Sequence, residues 1–366
     1  MAKYSMKDDF FNPETVKDFA DQLKKVYPVF DSQAYQSACI SAFGDLELKD
    51  RMLYMARLLV DFLPSDFQEA GTILRQVALK LPPDQGFVYG SLSAYVALRG
   101  ADQERLDHAL ELLAVLTPIF SAEFAIRTFL NQFPNQTYQA MKTWSESQNP
   151  SLRRLASEGL RPKLPWAEKI TLDPLMALEI LNKLYTDRVR YVTRSVANHM
   201  NDLSKIYPDQ VLETLKAWQA SDKQEPKEMA YIIQHATRTL IKKGNREALD
   251  LLGYSSQVKV GLKYLRVLTP KICLGQALTF EYGLDVSEET ALMIDYLIDY
   301  PKAQGKRSQK VFKLKKVKLK AGETLRASKS HVFKLMTTRR LYPGEYKLSL
   351  QVNGSIMGED SFYLET

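Results

Sequence analysis

The chain has 366 residues, of which 45% are apolar and 25% charged, and a formal net charge of +7. That length exceeds one simple core and suits two domains, with apolar content ample for both. No uncharged apolar run approaches the roughly eighteen residues that a membrane-spanning helix needs, so no membrane partner is expected.

The opening stretch "MAKYSMKDDFFNPETV" lacks the apolar segment of a secretory signal. Cys39 and Cys273 lie far apart with no metal-ligand spacing around them. They read as buried thiols of a reducing compartment, which favours the cytoplasm. The charge is unevenly placed: from Tyr254 onward there are 19 Lys/Arg against 11 Asp/Glu, or +8, and the preceding residues carry 31 against 32, or −1. A basic C-terminal segment on a near-neutral body suggests a polyanionic partner such as nucleic acid, with solubility alone as the alternative.

Residues 1–253 read as one amphipathic helix after another. "DRMLYMARLLVDFL", "LDHALELLAVL", "PLMALEILNKLY" and "DQVLETLKAWQ" place apolar residues at three- and four-residue spacing, and "LPPD", "FPNQ", "YPDQ" and "NREA" punctuate them. "FPNQTYQAMKTW" (133–144) aligns without gaps to "YPDQVLETLKAW" (207–218), an offset of 74 residues, or two units of 37. That period matches paired-helix HEAT-type arrays. Trp144 and Trp218 hold equivalent places in the repeat, where core packing is expected. Such arrays bury their apolar faces between neighbouring helix pairs and leave a concave surface on which side chains from successive repeats converge.

After about Tyr254 the pattern changes to short β-branched and aromatic runs: "KYLRVL", "ALTFEY", "ALMIDYLIDY", "KVFKLKKVKL", "EYKLSLQV" and "SFYLET". Turn signals separate them, among them "AGE", "YPGE" and "NGS". "FKLKKVKLK" shifts its apolar face between Leu314 and Val317, which a bulge explains. The expected fold class is therefore multidomain: an all-α HEAT-like repeat solenoid over 1–253, then an all-β immunoglobulin-like sandwich over 254–366 that lacks the cysteine pair of antibody domains.

The four histidines, His108, His199, His235 and His331, show no ligand spacing, so no metal site is expected. Walker, dinucleotide-binding and nucleophile-elbow motifs are missing as well, and no cofactor is expected. What remains is a set of carboxylates flanked by arginines. Glu123 and Arg127 stand four apart, as do Arg154 and Glu158, and Arg190, Arg194, Asn198 and Asp202 follow at intervals of four, read as one stripe. Each pair alone is equally a solvated helix pair worth a few tenths of a kcal/mol. Repeated in successive units, the pairs point to one groove in which arginines bind phosphates and carboxylates meet positive charge.

"SLRRLASEGLRPKLPWA", "EFAIR" and "YVTRSVANHMNDLSK" resemble the signatures of the AlkC branch of the AlkD-like, HEAT-repeat DNA glycosylases, bacterial enzymes that excise alkylated bases. The resemblance covers most of residues 100–250, and "SEGLRPKLPWA" is its most specific part. "VFKLKKVKL", "TTRRLYPGEY" and "QVNG" resemble the immunoglobulin-like domain that a subset of that branch carries. The resemblance implies a monofunctional glycosylase of DNA repair acting on double-stranded DNA with small cationic lesions. These are 3-methyladenine, 3-methylcytosine or 1-methyladenine, which the sequence does not rank. It implies Glu158, Asp202 and Glu123 as catalytic carboxylates and Trp166 as the indole against the damaged nucleotide; the alternative for Trp166 is packing at a helix end. No deep base-flipping pocket, wedge loop or catalytic lysine is expected.

Arg153, Arg154, Arg161, Arg190, Arg194 and Arg238 are the candidates for phosphate contact. In the 151–169 stretch, Gly159 and the prolines are expected to end the helix sharply, so that Glu158 and Trp166 face the deoxyribose. The β-domain would grip the duplex through "FKLKKVKLK" or "TTRR". A monomer in the cytoplasm, associated with the nucleoid, is the default. The competing readings are a non-catalytic HEAT-repeat scaffold for DNA or protein and a protein-binding β-sandwich on a helical stalk.

Overall fold

A computed structural model describes residues 5–255, 257, 259–334 and 341–365; the "TTRR" stretch at 337–340 lies outside the described residues. The chain is helical from Met6 to Asp250 and builds β-strands from Val260 onward. It divides into two compact units, 1–206 with 218–232 and 207–217 with 233–366.

Proline starts many of the helices: Pro13–Val26, Pro134–Ser145, Pro150–Glu158, Pro208–Ala220 and Pro226–Ala236. The first helical N–H has no intrahelical partner, so its loss on proline costs nothing there and the ring presets φ. The 37-residue repeat has a direct physical expression, because side chains one repeat apart hydrogen-bond across neighbouring helices. Tyr138 donates to the Met176 carbonyl at 2.8 Å, 38 residues on. Trp218 Nε1 donates to Asn182 Oδ1 at 2.8 Å, 36 residues back. Trp144 and Trp218 are both buried, and Trp218 stacks on Tyr185 with ring centroids 4.5 Å apart.

The second unit contains a sandwich of two sheets. One has the order β1 (Val260–Val267), β3 (Ala277–Val286), β6 (Thr324–Val332). The other runs β2 (Lys271–Cys273), β8 (Ser355–Glu365), β7 (Gly344–Val352), β4 (Thr290–Pro301), β5 (Arg307–Leu319). All pairings are antiparallel except β2 with β8. Phe280, Tyr282 and Leu284 of β3 meet Ile294, Tyr296 and Ile298 of β4 in the core. Ile294 pairs with Lys315 and Asp295 with Lys313, so Leu314 is the extra residue of a bulge and "FKLKKVKLK" changes face there.

One expectation fails here. Both cysteines read as buried, but only Cys39 is; Cys273 is exposed because β2 turns Ile272 inward and its neighbours outward.

Trp218→Ala removes a stacked ring and a hydrogen-bonded indole from the interior of a repeat. Denaturant unfolding should show a loss of about 3–5 kcal/mol; a loss below about 1 kcal/mol would mean the repeat does not lean on this residue.

Candidate active site

The Pro150–Glu158 helix carries the first site residue. Asn149 caps it, accepting the Ser151 N–H at 2.9 Å. Leu155, Ala156, Ser157 and Glu158 at its end are all buried. The helix ends at Glu158 as expected, with Gly159 as its C-cap in right-handed angles (φ −62). Glycine is required there by contact: a Cβ would lie 2.8 Å from Ile126 Cγ2 and 2.9 Å from Met141 Cε. The left-handed residue is Trp166, at φ +60. A large side chain in that region costs roughly 1–3 kcal/mol. Lys49 Nζ donates to the Trp166 carbonyl at 2.8 Å and holds it there.

Glu158 accepts from Arg161 Nη1 on Oε1 and from the Ser195 hydroxyl on Oε2 at 2.6 Å, and Arg154 Nη2 is 3.8 Å from Oε2. Arg161 turns its other edge to Asp202, with Nε 3.0 Å and Nη2 2.9 Å from Oδ2. Lys205 Nζ meets Asp202 Oδ1 at 2.8 Å. Arg154 donates to Glu123 Oε2 at 2.8 Å and to Ser121 Oγ at 2.9 Å, and its guanidinium lies 4.8 Å from the Tyr191 ring centroid. Carboxylates and cations thus alternate along one chain: Glu123, Arg154, Glu158, Arg161, Asp202, Lys205. Arg127 is only 1% exposed and donates through Nη2 to the Arg161 carbonyl.

Burial disfavours the ionised form of Glu158, but Arg154, Arg161 and the Ser195 hydroxyl outweigh it and hold the carboxyl below its ordinary value. Burial also opposes the charges of Arg154 and Arg161; the facing carboxylates prevail and raise both. His199 lies beneath, its Nδ1 2.9 Å from the Ser157 carbonyl. Burial drives its pKa down to about 4, so it is neutral near pH 7.

Above this chain opens a cleft of about 760 Å³. Its polar lining includes Asp84, Glu123, Glu158, Arg154 and Arg161, three carboxylates against two guanidiniums, or −1. Its walls are aromatic: Phe10, Phe87, Phe120, Phe124, Tyr191 and Trp166. Trp166 itself is 60% exposed. Of the four described non-glycine residues with positive φ, two, Asp84 and Trp166, line this cleft. Such strain concentrates where a side chain must be aimed.

A Bacillus subtilis (strain 168) protein, YhaZ, is 33% identical over 352 residues, 95% of this chain and 96% of YhaZ. The alkylpurine DNA glycosylase AlkC of Pseudomonas fluorescens, solved bound to DNA containing an abasic site analog, superposes with a TM-score of 0.90. It is 34% identical and covers 99% of this chain and 100% of its own. The chain belongs to the AlkC branch of the AlkD-like family. The family model described as "Uncharacterised protein YhaZ, C-terminal Ig-like domain" matches residues 261–366, which places this AlkC-branch chain among those with an immunoglobulin-like domain.

The AlkC-branch signatures carry residues that the structure brings together, though not all in one place. Glu123, Glu158 and Trp166 line the cleft. Asp202 is 2% exposed and stands one bridge behind, reached through Arg161. The stripe expected of Arg190, Arg194, Asn198 and Asp202 is not one face. Over the twelve residues from Arg190 to Asp202 a helix turns roughly 120° beyond whole turns, so Arg190 and Arg194 are exposed while Asp202 is buried. The face turned to Glu158 is that of Ser195, His199 and Asp202.

The other arginines are largely committed to partners. Arg153 forks onto Asp187, Arg190 pairs with Glu228 and covers the Tyr231 ring at 3.7 Å, and Arg238 meets His235 at 2.9 Å. Phe10, Asp84, Phe87 and Phe120 were not anticipated, because they come from segments without a family motif. Ser195 and Tyr191 sit inside "YVTRSVANHMND", where the charged neighbours drew the reading.

Glu158→Gln leaves the buried Arg161 and the half-buried Arg154 short of a counter-charge and should cost about 3–5 kcal/mol near neutral pH. The depressed Glu158 pKa gives stability that is complete above the ordinary value of 4.5 and lost as pH falls through the lower folded value. Denaturant unfolding of both proteins across this range should therefore show the gap closing below about pH 4.5; a gap independent of pH would refute the ionised-network account.

Proposed function

We propose that this chain is an alkylation-repair DNA glycosylase that hydrolyses the N-glycosidic bond of cationic methylated bases: 3-methyladenine, and through its open cleft 3-methylcytosine and 1-methyladenine. The observation that carries the reading is the cleft itself, net negative yet walled by aromatic rings. A duplex is a polyanion, and a carboxylate-lined surface repels it unless positive charge is met locally. A methylated base is planar and cationic, which suits aromatic faces and carboxylates together.

The charge also moves the right way. As the glycosidic bond breaks, the base leaves neutral and positive charge develops on the deoxyribose, as in glycoside hydrolysis. Glu158 and Glu123 then face an oxocarbenium-like centre, and Asp202 acts through the Arg161 that it holds. Glu158 is ionised near neutral pH and orients the attacking water. One carboxylate–cation contact at ~4 Å and an effective dielectric of 20 is worth about 4 kcal/mol before desolvation, a ceiling of roughly three orders of magnitude in rate. A lesion whose leaving group is already cationic requires little more. The Trp166 indole shields the sugar from water.

We assign 1–253 as the catalytic domain and 254–366 as a DNA-contacting domain, whose Lys313, Lys315, Lys316, Lys318 and Lys320 lie in or just beyond the bulged β5 strand. In the helical unit Arg194 is exposed, with no ion pair among the described residues, and is the arginine best placed to meet a phosphate. Arg153 and Arg190 would have to release Asp187 and Glu228 first.

The test is release of methylated bases from alkylated duplex DNA. Glu158→Gln and Asp202→Asn should each lower the single-turnover rate by about a hundredfold or more, with binding of an abasic-site duplex retained. Release by both variants at the wild-type rate, or none by the wild type, favours the non-catalytic scaffold. Trp166→Gly separates strain from function: it relaxes the left-handed residue, so stability should rise by about 1 kcal/mol while the rate falls roughly tenfold. A rate unchanged in that variant removes the indole from the mechanism.

A further inference from the structure

A second cavity lies in the other compact unit, against the outer face of the five-stranded sheet. Ile294, Tyr296 and Ile298 of β4 point into the sandwich core, and Met293 packs with Leu240, Ile241 and Leu249 on the opposite side. By strand alternation Asp295 shares that side. A cavity of about 170 Å³ opens there, with Ile241 and Met293 in its wall. Four cations ring it: Arg238 and Lys242 from a helix, Lys313 and Lys316 from β5.

Asp295 lines this cavity and is only 5% exposed. It accepts no hydrogen bond and makes no ion pair among the described residues. Its register neighbours are Lys313 on β5 and Gln351 on β7. Lys313 is exposed, and Gln351 is buried with Nε2 unpartnered. A buried carboxylate without a donor is costly. Burial pushes the Asp295 pKa up to about 6 against the pull of Lys313 and Lys316.

The cations call for an anion, but Asp295 repels any anion oxygen that carries no proton. Sulfate and a phosphodiester have none to offer near neutral pH. Inorganic phosphate does, because its monohydrogen form keeps a proton throughout that range, and a phosphate monoester keeps one up to its second ionisation near 6. We propose that this cavity seats a phosphate group bearing a P–OH, with its charged oxygens on Arg238, Lys242, Lys313 and Lys316 and its hydroxyl donating to Asp295. Two sources offer that chemistry, free phosphate or a small monoester, and the phosphate at a DNA strand end. The site does not depend on the glycosylase reading.

Calorimetric titration of the full chain with inorganic phosphate and with sulfate, at matched ionic strength and about pH 7.5, tests this. Phosphate should bind at least about tenfold more tightly than sulfate, and Asp295→Asn should abolish the preference. Arg238→Gln should weaken both anions and keep their ratio, a result that stands even if Asp295→Asn folds poorly. Absence of phosphate binding, sulfate binding equal to phosphate, or a preference that survives Asp295→Asn overturns the proposal. Nicked duplexes ending in 5′-phosphate or 5′-hydroxyl, compared at about pH 6 where a terminal phosphate still carries its proton, identify the source. A phosphate-dependent gain in affinity that Asp295→Asn removes assigns the site to strand ends, and phosphate binding with equal affinity for the two nicks assigns it to the free ligand.

Discussion

Arg161 is the constraint on which the rest of the site depends. Its guanidinium is nearly buried and is held on one side by Glu158 and on the other by Asp202. It joins two carboxylates from different repeats, and with Arg154 and the Ser195 hydroxyl it outweighs the burial that opposes the ionised form of Glu158. The Arg127 bond to the Arg161 carbonyl fixes the turn that delivers the side chain. A buried pair of this kind adds little net stability over an apolar packing. It sets geometry, since the fork accepts few arrangements of its partners.

The strained Trp166 belongs to the same design. The chain leaving the network runs along the cleft through Leu164, Pro165 and the left-handed Trp166, whose indole stays exposed. Lys49 and the network hold the two ends of this segment. The strain is offset by contacts elsewhere in the unit, as expected where aim matters more than local comfort. The result is a cleft with aromatic walls and a net negative lining.

The β-sandwich answers a different requirement. A long lysine-rich strand at the edge of a sheet both discourages pairing with another chain and offers charge to a polyanion. The bulge at Leu314 resets the alternation, so that Phe312 and Leu314 before it and Val317 and Leu319 after it all pack on the same core. On the outer face of the same sheet, Asp295 is a buried carboxylate beside the apolar contact of Met293 with Leu240 and Ile241, the kind of local inconsistency that tends to mark function rather than folding.

The sequence by itself determined the fold class, because helical and strand periodicities leave visible patterns and the 37-residue repeat fixes which helices neighbour each other. It also singled out Glu158 and Trp166 as candidates, through a motif too specific to be generic repeat packing, and both line the cleft. What only the tertiary structure decided was which side chains face one another. A four-residue spacing drifts around a helix, so the apparent Arg190–Asp202 stripe dissolved and Ser195, His199 and Asp202 emerged as the inward face. The aromatic cleft walls from Phe10, Phe87 and Phe120 were invisible for the same reason: isolated apolar residues read as core until the folded surface shows which of them line a cavity.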